Sequence, residues 1–191
     1  MLLTLVAVTL SAPLPKATPP AFADTKIVEQ GARLPAGLTA KGTLVAVGSY
    51  TDKNGETVVY IETVENEIHA YGLVKKDEWK QLWQAADGCK TGTATISYKP
   101  GSLQVTDLDT DSLAESSFAY EVSCSDAPGP LQLKVLMYES AMRYALRGTQ
   151  RVFSGGVPSG GDFKPDTALQ GASMQFKKFM TDQWDRLLNK S

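Results

Sequence analysis

From Leu44 to Arg147 apolar and polar residues alternate with a period of two, the repeat of a β-strand whose two faces meet different surroundings. Turn formers interrupt the alternation and divide it into nine short strands: Leu44–Tyr50, Thr57–Val64, Glu67–Val74, Trp79–Gln84, Thr91–Tyr98, Leu103–Thr106, Ser116–Ser123, Leu131–Tyr138 and Ala141–Arg147. Asn54-Gly55 and Pro100-Gly101 are turn pairs, and Asn-Gly between β-rich runs is a strong hairpin signal because both residues tolerate positive φ. In Leu131–Tyr138, Leu136 alone spoils the alternation. Trp79 and Trp83 stand four apart, which places them on one face of a regular strand.

The period changes near the C-terminus. Ser154–Gly161 is rich in glycine, but no Lys-Ser or Lys-Thr follows it as in a phosphate-binding loop, so it reads as a linker. Asp166 is a plausible N-cap, and Leu169, Ala172, Phe176, Phe179, Met180, Gln183, Trp184, Leu187 and Leu188 are spaced along one helical face. The expected fold is mainly β: an antiparallel, meander or sandwich-like sheet with one C-terminal α-helix over about residues 167–189 that packs on it. Mixed charges on the polar side of that helix argue against a membrane-surface anchor.

Residues 2–10 form a short apolar run, and Ala21-Phe22-Ala23 matches the small-x-small pattern before a signal-peptidase cut. The reading is a signal peptide over 1–23, an N-terminal linker over 24–43 and one domain over 44–191, in a periplasmic or secreted protein. The missing basic residues ahead of the run and the prolines after it fit this pattern poorly. An oxidising compartment favours one disulfide, Cys89–Cys124, with two buried thiols as the alternative. The net charge of −2 argues against a nucleic-acid partner, and no apolar run reaches the length of a transmembrane helix.

Chemistry concentrates at Asp107-Leu108-Asp109-Thr110-Asp111-Ser112-Leu113-Ala114-Glu115. Four carboxylates in so short a stretch repel one another unless a cation lies among them. Calcium takes six to eight oxygens, and Asp107, Asp109, Asp111, Glu115 and the Leu113 carbonyl stand where a compact loop would supply them. An EF-hand is excluded, because its twelfth position would be Phe118 and strands flank the loop. The stretch resembles the Asp-x-Asp-x-Asp-Gly-x-x-Asp calcium loops of integrin-type β proteins. Ser112 replaces the usual glycine and Glu115 the last aspartate, so the expected affinity is weak, on the order of 0.1–1 mM. Asp52-Lys53-Asn54-Gly55-Glu56 reads as a plain hairpin turn rather than a second such loop.

Taken with Cys124-Ser125-Asp126-Ala127-Pro128 and Tyr144-Ala145-Leu146-Arg147-Gly148, the acidic loop resembles a family of exported bacterial proteins labelled surface polysaccharide biosynthesis proteins. The resemblance runs from about Leu44 to the terminal helix. It implies an exported β-rich domain and carries over no catalytic residue.

A binding or structural module of the cell envelope follows, braced by calcium, with a surface glycan or an envelope protein as partner. The sequence leans against an enzyme: His69 is the one histidine, it lies on an alternating strand, and there is no nucleophile elbow. The alternative is a polysaccharide-processing enzyme or accessory factor that uses the acidic loop. Trp79, Trp83 and Tyr71 are candidates for a binding face or for the core, and Arg143, Arg147 and Arg151 for an anion site or a solvated face.

Overall fold

The computed structural model describes residues 21–89, 95–124 and 131–188. The first sheet is a meander of β1 (Lys26–Val28), β2 (Thr43–Asp52), β3 (Gly55–Val64), β4 (Glu67–Lys75) and β5 (Trp79–Gly88), hydrogen-bonded in chain order. Next along the chain come β6 (Thr95–Tyr98), β7 (Gln104–Thr106), β8 (Glu115–Ser123), β9 (Gln132–Glu139) and β10 (Met142–Thr149). A small ribbon of β11 (Val152–Ser154) and β12 (Val157–Ser159) follows, then β13 (Phe163–Pro165). The second sheet runs β13-β10-β9-β8-β6, with β7 also on β8, and all pairings are antiparallel.

The two sheets pack face to face over Ala46, Val59, Ile61, Trp83, Phe118, Leu136 and Tyr138. At the centre Trp83 stacks on Tyr138 with ring centroids 3.9 Å apart. The other face of the second sheet is covered by α1 (Thr167–Gly171) and α2 (Met174–Leu188), through Leu133, Val135, Met137, Leu146, Phe176, Met180 and Trp184. Asp166 caps α1 as expected, accepting from the Leu169 N–H at 2.9 Å. The expected single helix is two, however, because Ala172 is extended and Ser173 caps a new start at the Phe176 N–H. Residue 189 lies outside the described residues.

Three further expectations change. The segment expected as an N-terminal linker contributes β1 and lays Ala32, Leu34 and Leu38 over the outer face of the first sheet. The glycine-rich linker contributes the turn and the second strand of the β11–β12 ribbon. Trp79 and Trp83 do not share a face: the β4–β5 register shifts between Gly72 and Leu73, where Gly72 pairs with Trp83 and Leu73 with Gln81. Leu82 is therefore an extra residue, a bulge that sends Trp83 between the sheets and Trp79 to the outer face. Residues 91–94 of the expected fifth strand lie outside the described residues.

Cys89 and Cys124 form the disulfide, with Cα atoms 5.4 Å apart, and it joins the end of β5 to the end of β8 across the two sheets. Beside it Asp87 accepts from the Tyr120 hydroxyl at 2.7 Å and pairs with Lys134. Among the described residues no helix is long and apolar enough to cross a membrane.

Gly72 leaves room for the Trp83 ring: a Cβ there would lie 2.2 Å from Trp83 Nε1. Gly72→Ala is expected to displace Trp83 from its stack and lower stability by about 1–3 kcal/mol, measured as a reduced denaturant midpoint. Reducing the disulfide, which closes a 35-residue separation, is expected to lower stability by about 3–4 kcal/mol in the same measurement.

Candidate metal centre

β7 and β8 pair through Gln104↔Ser117, Val105↔Ser116 and Thr106↔Glu115, so the acidic stretch is the loop they close. Two of its residues are left-handed without being glycine, Thr110 at φ 63° and Ser112 at φ 68°. The conformation expected at Ser112 is therefore present, at a cost of roughly 1 kcal/mol for each such residue. Local hydrogen bonds hold the acids in place: Ser112 N–H donates to Asp107 Oδ2 at 3.2 Å, and Leu113 N–H to Asp111 Oδ1 at 2.7 Å.

Glu115, the first residue of β8, is fully buried. Its Oε2 accepts from Thr106 Oγ1 at 3.0 Å and from the Leu108 N–H at 2.9 Å. Its Oε1 is buried without a hydrogen-bond partner, as is Asp107 Oδ1. Ligand oxygens of Asp107, Asp109 and Glu115 lie within 4.8 Å of one another. Two oxygens bound to one calcium ion, each at about 2.4 Å, are at most about 4.8 Å apart, so these three carboxylates meet the distance limit for sharing one hard cation.

Asp111 does not join that group. It belongs to a second one, Asp109, Asp111 and Glu139, again within 4.8 Å. The two groups share Asp109. Leu113 gives its N–H to Asp111. Glu139 was not among the sequence candidates. It lies opposite Glu115 in the β8–β9 register, and its Oε1 is buried and unpartnered. The signal was present in the chain: counting back from the Ser140-Ala141 turn puts Glu139 at the end of its strand, but only the register brings it beside the loop.

Burial pushes the Glu115 carboxyl up to about 8; the hydrogen bonds from Leu108 and Thr106 oppose this and the charge of Asp109 adds to it. Glu139 is also raised, by burial first and then by Asp109, Asp111 and Asp107. Both shifts express the same frustration, negative charge held where water is scarce and other acids are near.

The hairpin turn between β2 and β3 braces the loop from the first sheet. Asp52 Oδ2 accepts from the Ala114 N–H at 3.0 Å, and Lys53 N–H donates to the Ser112 carbonyl at 3.0 Å. Lys53 Nζ donates to the Asp111 carbonyl at 2.6 Å, and Asn54 Nδ2 to Ser140 Oγ at 3.0 Å. Asp52-Lys53-Asn54-Gly55 is thus a turn, as expected, and it docks on the acidic loop.

The other candidates lie elsewhere. His69 on β4 contacts Glu67 Oε2 through Nε2 at 2.7 Å and the Tyr71 hydroxyl through Nδ1 at 3.1 Å, a side-chain network on the outer face of the first sheet. Trp83 is core, while Tyr71 and Trp79 are half-buried under the N-terminal segment, so the three form no common aromatic face. Arg143 and Arg147 lie on β10 and Arg151 just before β11. No family model, curated protein or solved structure matches this chain, so the reading of the site rests on its geometry.

The raised carboxyl fixes the sign of a pH effect in metal-free protein. A group whose pKa rises on folding stabilises fully below its unfolded value, and that stability is lost as pH climbs through the folded value. With chelator present, the thermal midpoint is expected to fall as pH rises from about 4.5 to about 8. Glu115→Gln, which cannot ionise, is expected to flatten that decline.

Proposed function

We propose that the chain is an exported binding or structural module of the cell envelope whose acidic loop takes one calcium ion as a structural brace. The observation that carries this is the fully buried Glu115, whose Oε1 has no hydrogen-bond partner and whose carboxylate groups with oxygens of Asp107 and Asp109. A cation there turns the mutual repulsion of the acids into attraction. Asp111 and Glu139, which group with the shared Asp109, are the further ligands of this reading, with the Leu113 carbonyl assisting directly or through water.

The disulfide supports an oxidising compartment, and the leader over 1–23 supplies a route to it. Residues 1–20 of that leader lie outside the described residues. Processing after Ala23 would also remove Phe22, whose ring meets Tyr50 at 6.2 Å. A surface glycan or an envelope protein is the proposed partner. A structural role fits the acids better than hydrolysis does: oxygens within 4.8 Å in one bend are closer than the roughly 5–9.5 Å between the paired carboxyls of glycosidases.

Calcium titration followed by thermal and denaturant unfolding tests the reading. Calcium at a hundredfold excess over its dissociation constant is expected to add about 2.7 kcal/mol. Asp109→Ala and Glu115→Gln are expected to abolish the gain, and magnesium, which dehydrates reluctantly and demands an octahedron, to give less of it. An unshifted midpoint in the unaltered protein would refute the site.

A further inference from the structure

The two sheets are not the same width where they overlap. β5, the last strand of the first sheet, lies over β8 and β9: Trp83 stacks on Tyr138 and Phe118, and Asp87 bonds Tyr120 and Lys134. The second sheet continues past β9 to β10 and β13. A shelf of its inward-looking face therefore projects beyond the edge of the first sheet. The step between them is a groove of about 620 Å³, bounded by Trp83 and Gln84 on one side and by Met142, Arg143, Asp166 and Thr167 on the other.

The shelf is cationic. Lys134, Arg147 and Lys164 stand directly opposite one another on β9, β10 and β13. Like charges so placed, about 5 Å apart, destabilise a sheet. Asp87 neutralises Lys134. Arg147 and Lys164 have no carboxylate within ion-pair distance among the described residues, and neither has Arg143, four residues before Arg147 on the same face of β10. This row lies in a chain that is acidic overall.

The wall is an open strand edge. β5 has ten residues and pairs only with β4 among the described residues, whereas the other outer strands, β1, β6 and β13, have three, four and three. A long unpaired edge is a template for another strand. From Trp83 to Asp87 this edge runs beside β10 from Arg143 to Arg147, since Trp83 stacks on Tyr138, the partner of Arg143, and Asp87 bonds Lys134, the partner of Arg147.

We propose that this groove binds an extended acidic peptide segment of a partner protein, which adds to β5 as a sixth strand of the first sheet. A strand there lies about 4.8 Å from β5 and over the shelf, with alternate side chains directed at it. Acidic residues four apart on that face are about 13 Å apart, the spacing of Arg143 and Arg147. The backbone edge supplies affinity and the cations select the sequence. The inference is independent of the calcium reading, and it gives the binding module a partner class.

The test uses the full exported chain and a ten-residue peptide of alternating Glu and Val, matched to the length of β5. The expected result is saturable binding at low salt, with slowed amide hydrogen exchange at Trp83–Asp87. The double variant Arg143→Glu/Arg147→Glu is expected to bind about tenfold more weakly and to prefer a Lys-Val peptide. Lys164→Glu alone serves as a second, milder variant should the double variant unfold. Absence of binding overturns the proposal, as does binding without protection of β5. Equal competition by heparin or single-stranded DNA also overturns it, because the shelf would then be a general polyanion surface.

Discussion

Strands β8 and β9 are packed on both faces, and this constraint sets where the carboxylates of the metal centre lie. Phe118, Tyr120, Leu136 and Tyr138 fill one side of β8 and β9 against the first sheet, while Ala119, Leu133, Val135 and Met137 fill the other against the helices. A slip of one residue between these strands would turn each apolar set toward the wrong layer. The register is thereby locked, and it holds Glu115 opposite Glu139 at the end of the sheet. The carboxylates converge because hydrophobic packing leaves them no other alignment.

The same locking separates the two kinds of charge. Along β9, Glu139 shares its face with Met137 and Val135 on the helix side, whereas Lys134 shares the opposite face with Leu136 and Tyr138. Along β10, Arg143 and Arg147 fall on the side of Ala145, toward the first sheet. Acids gather at one end on one side of the sheet, and cations without a carboxylate partner among the described residues lie on the other. An acidic chain can thus carry a locally positive groove, since net charge says little about a face that β-geometry has sorted.

Much of this was legible in the sequence because strands and turns are local. The period-two pattern located the strands from β2 to β10 but not β1, β11, β12 or β13, Asp166 announced the start of α1, and the two cysteines paired. The failures come from non-local causes. Leu136 breaks the alternation because that pattern assumes one wet face, and β9 has none. The tryptophans parted because a bulge inserts a residue without changing composition, and Gly72 opposite Trp83 was its one sequence trace. Glu139 escaped notice because a ligand set drawn along one loop cannot contain a neighbour across a ladder. The acids of the loop itself were legible, but their division into two groups around Asp109 was not.

Chain order within the sheets bears on how the molecule assembles. The first sheet is built wholly from residues 26–88, each strand beside its predecessor, and β8, β9 and β10 are likewise consecutive neighbours. Each half can grow by successive hairpins whose ends are close along the chain, so little loop entropy opposes the early steps. The distant event is closure of one half on the other around Trp83, and the covalent link at Cys89 and Cys124 sits at the hinge of that closure. Oxidation before closure would hold the halves within reach of each other, and oxidation afterwards would slow their reopening.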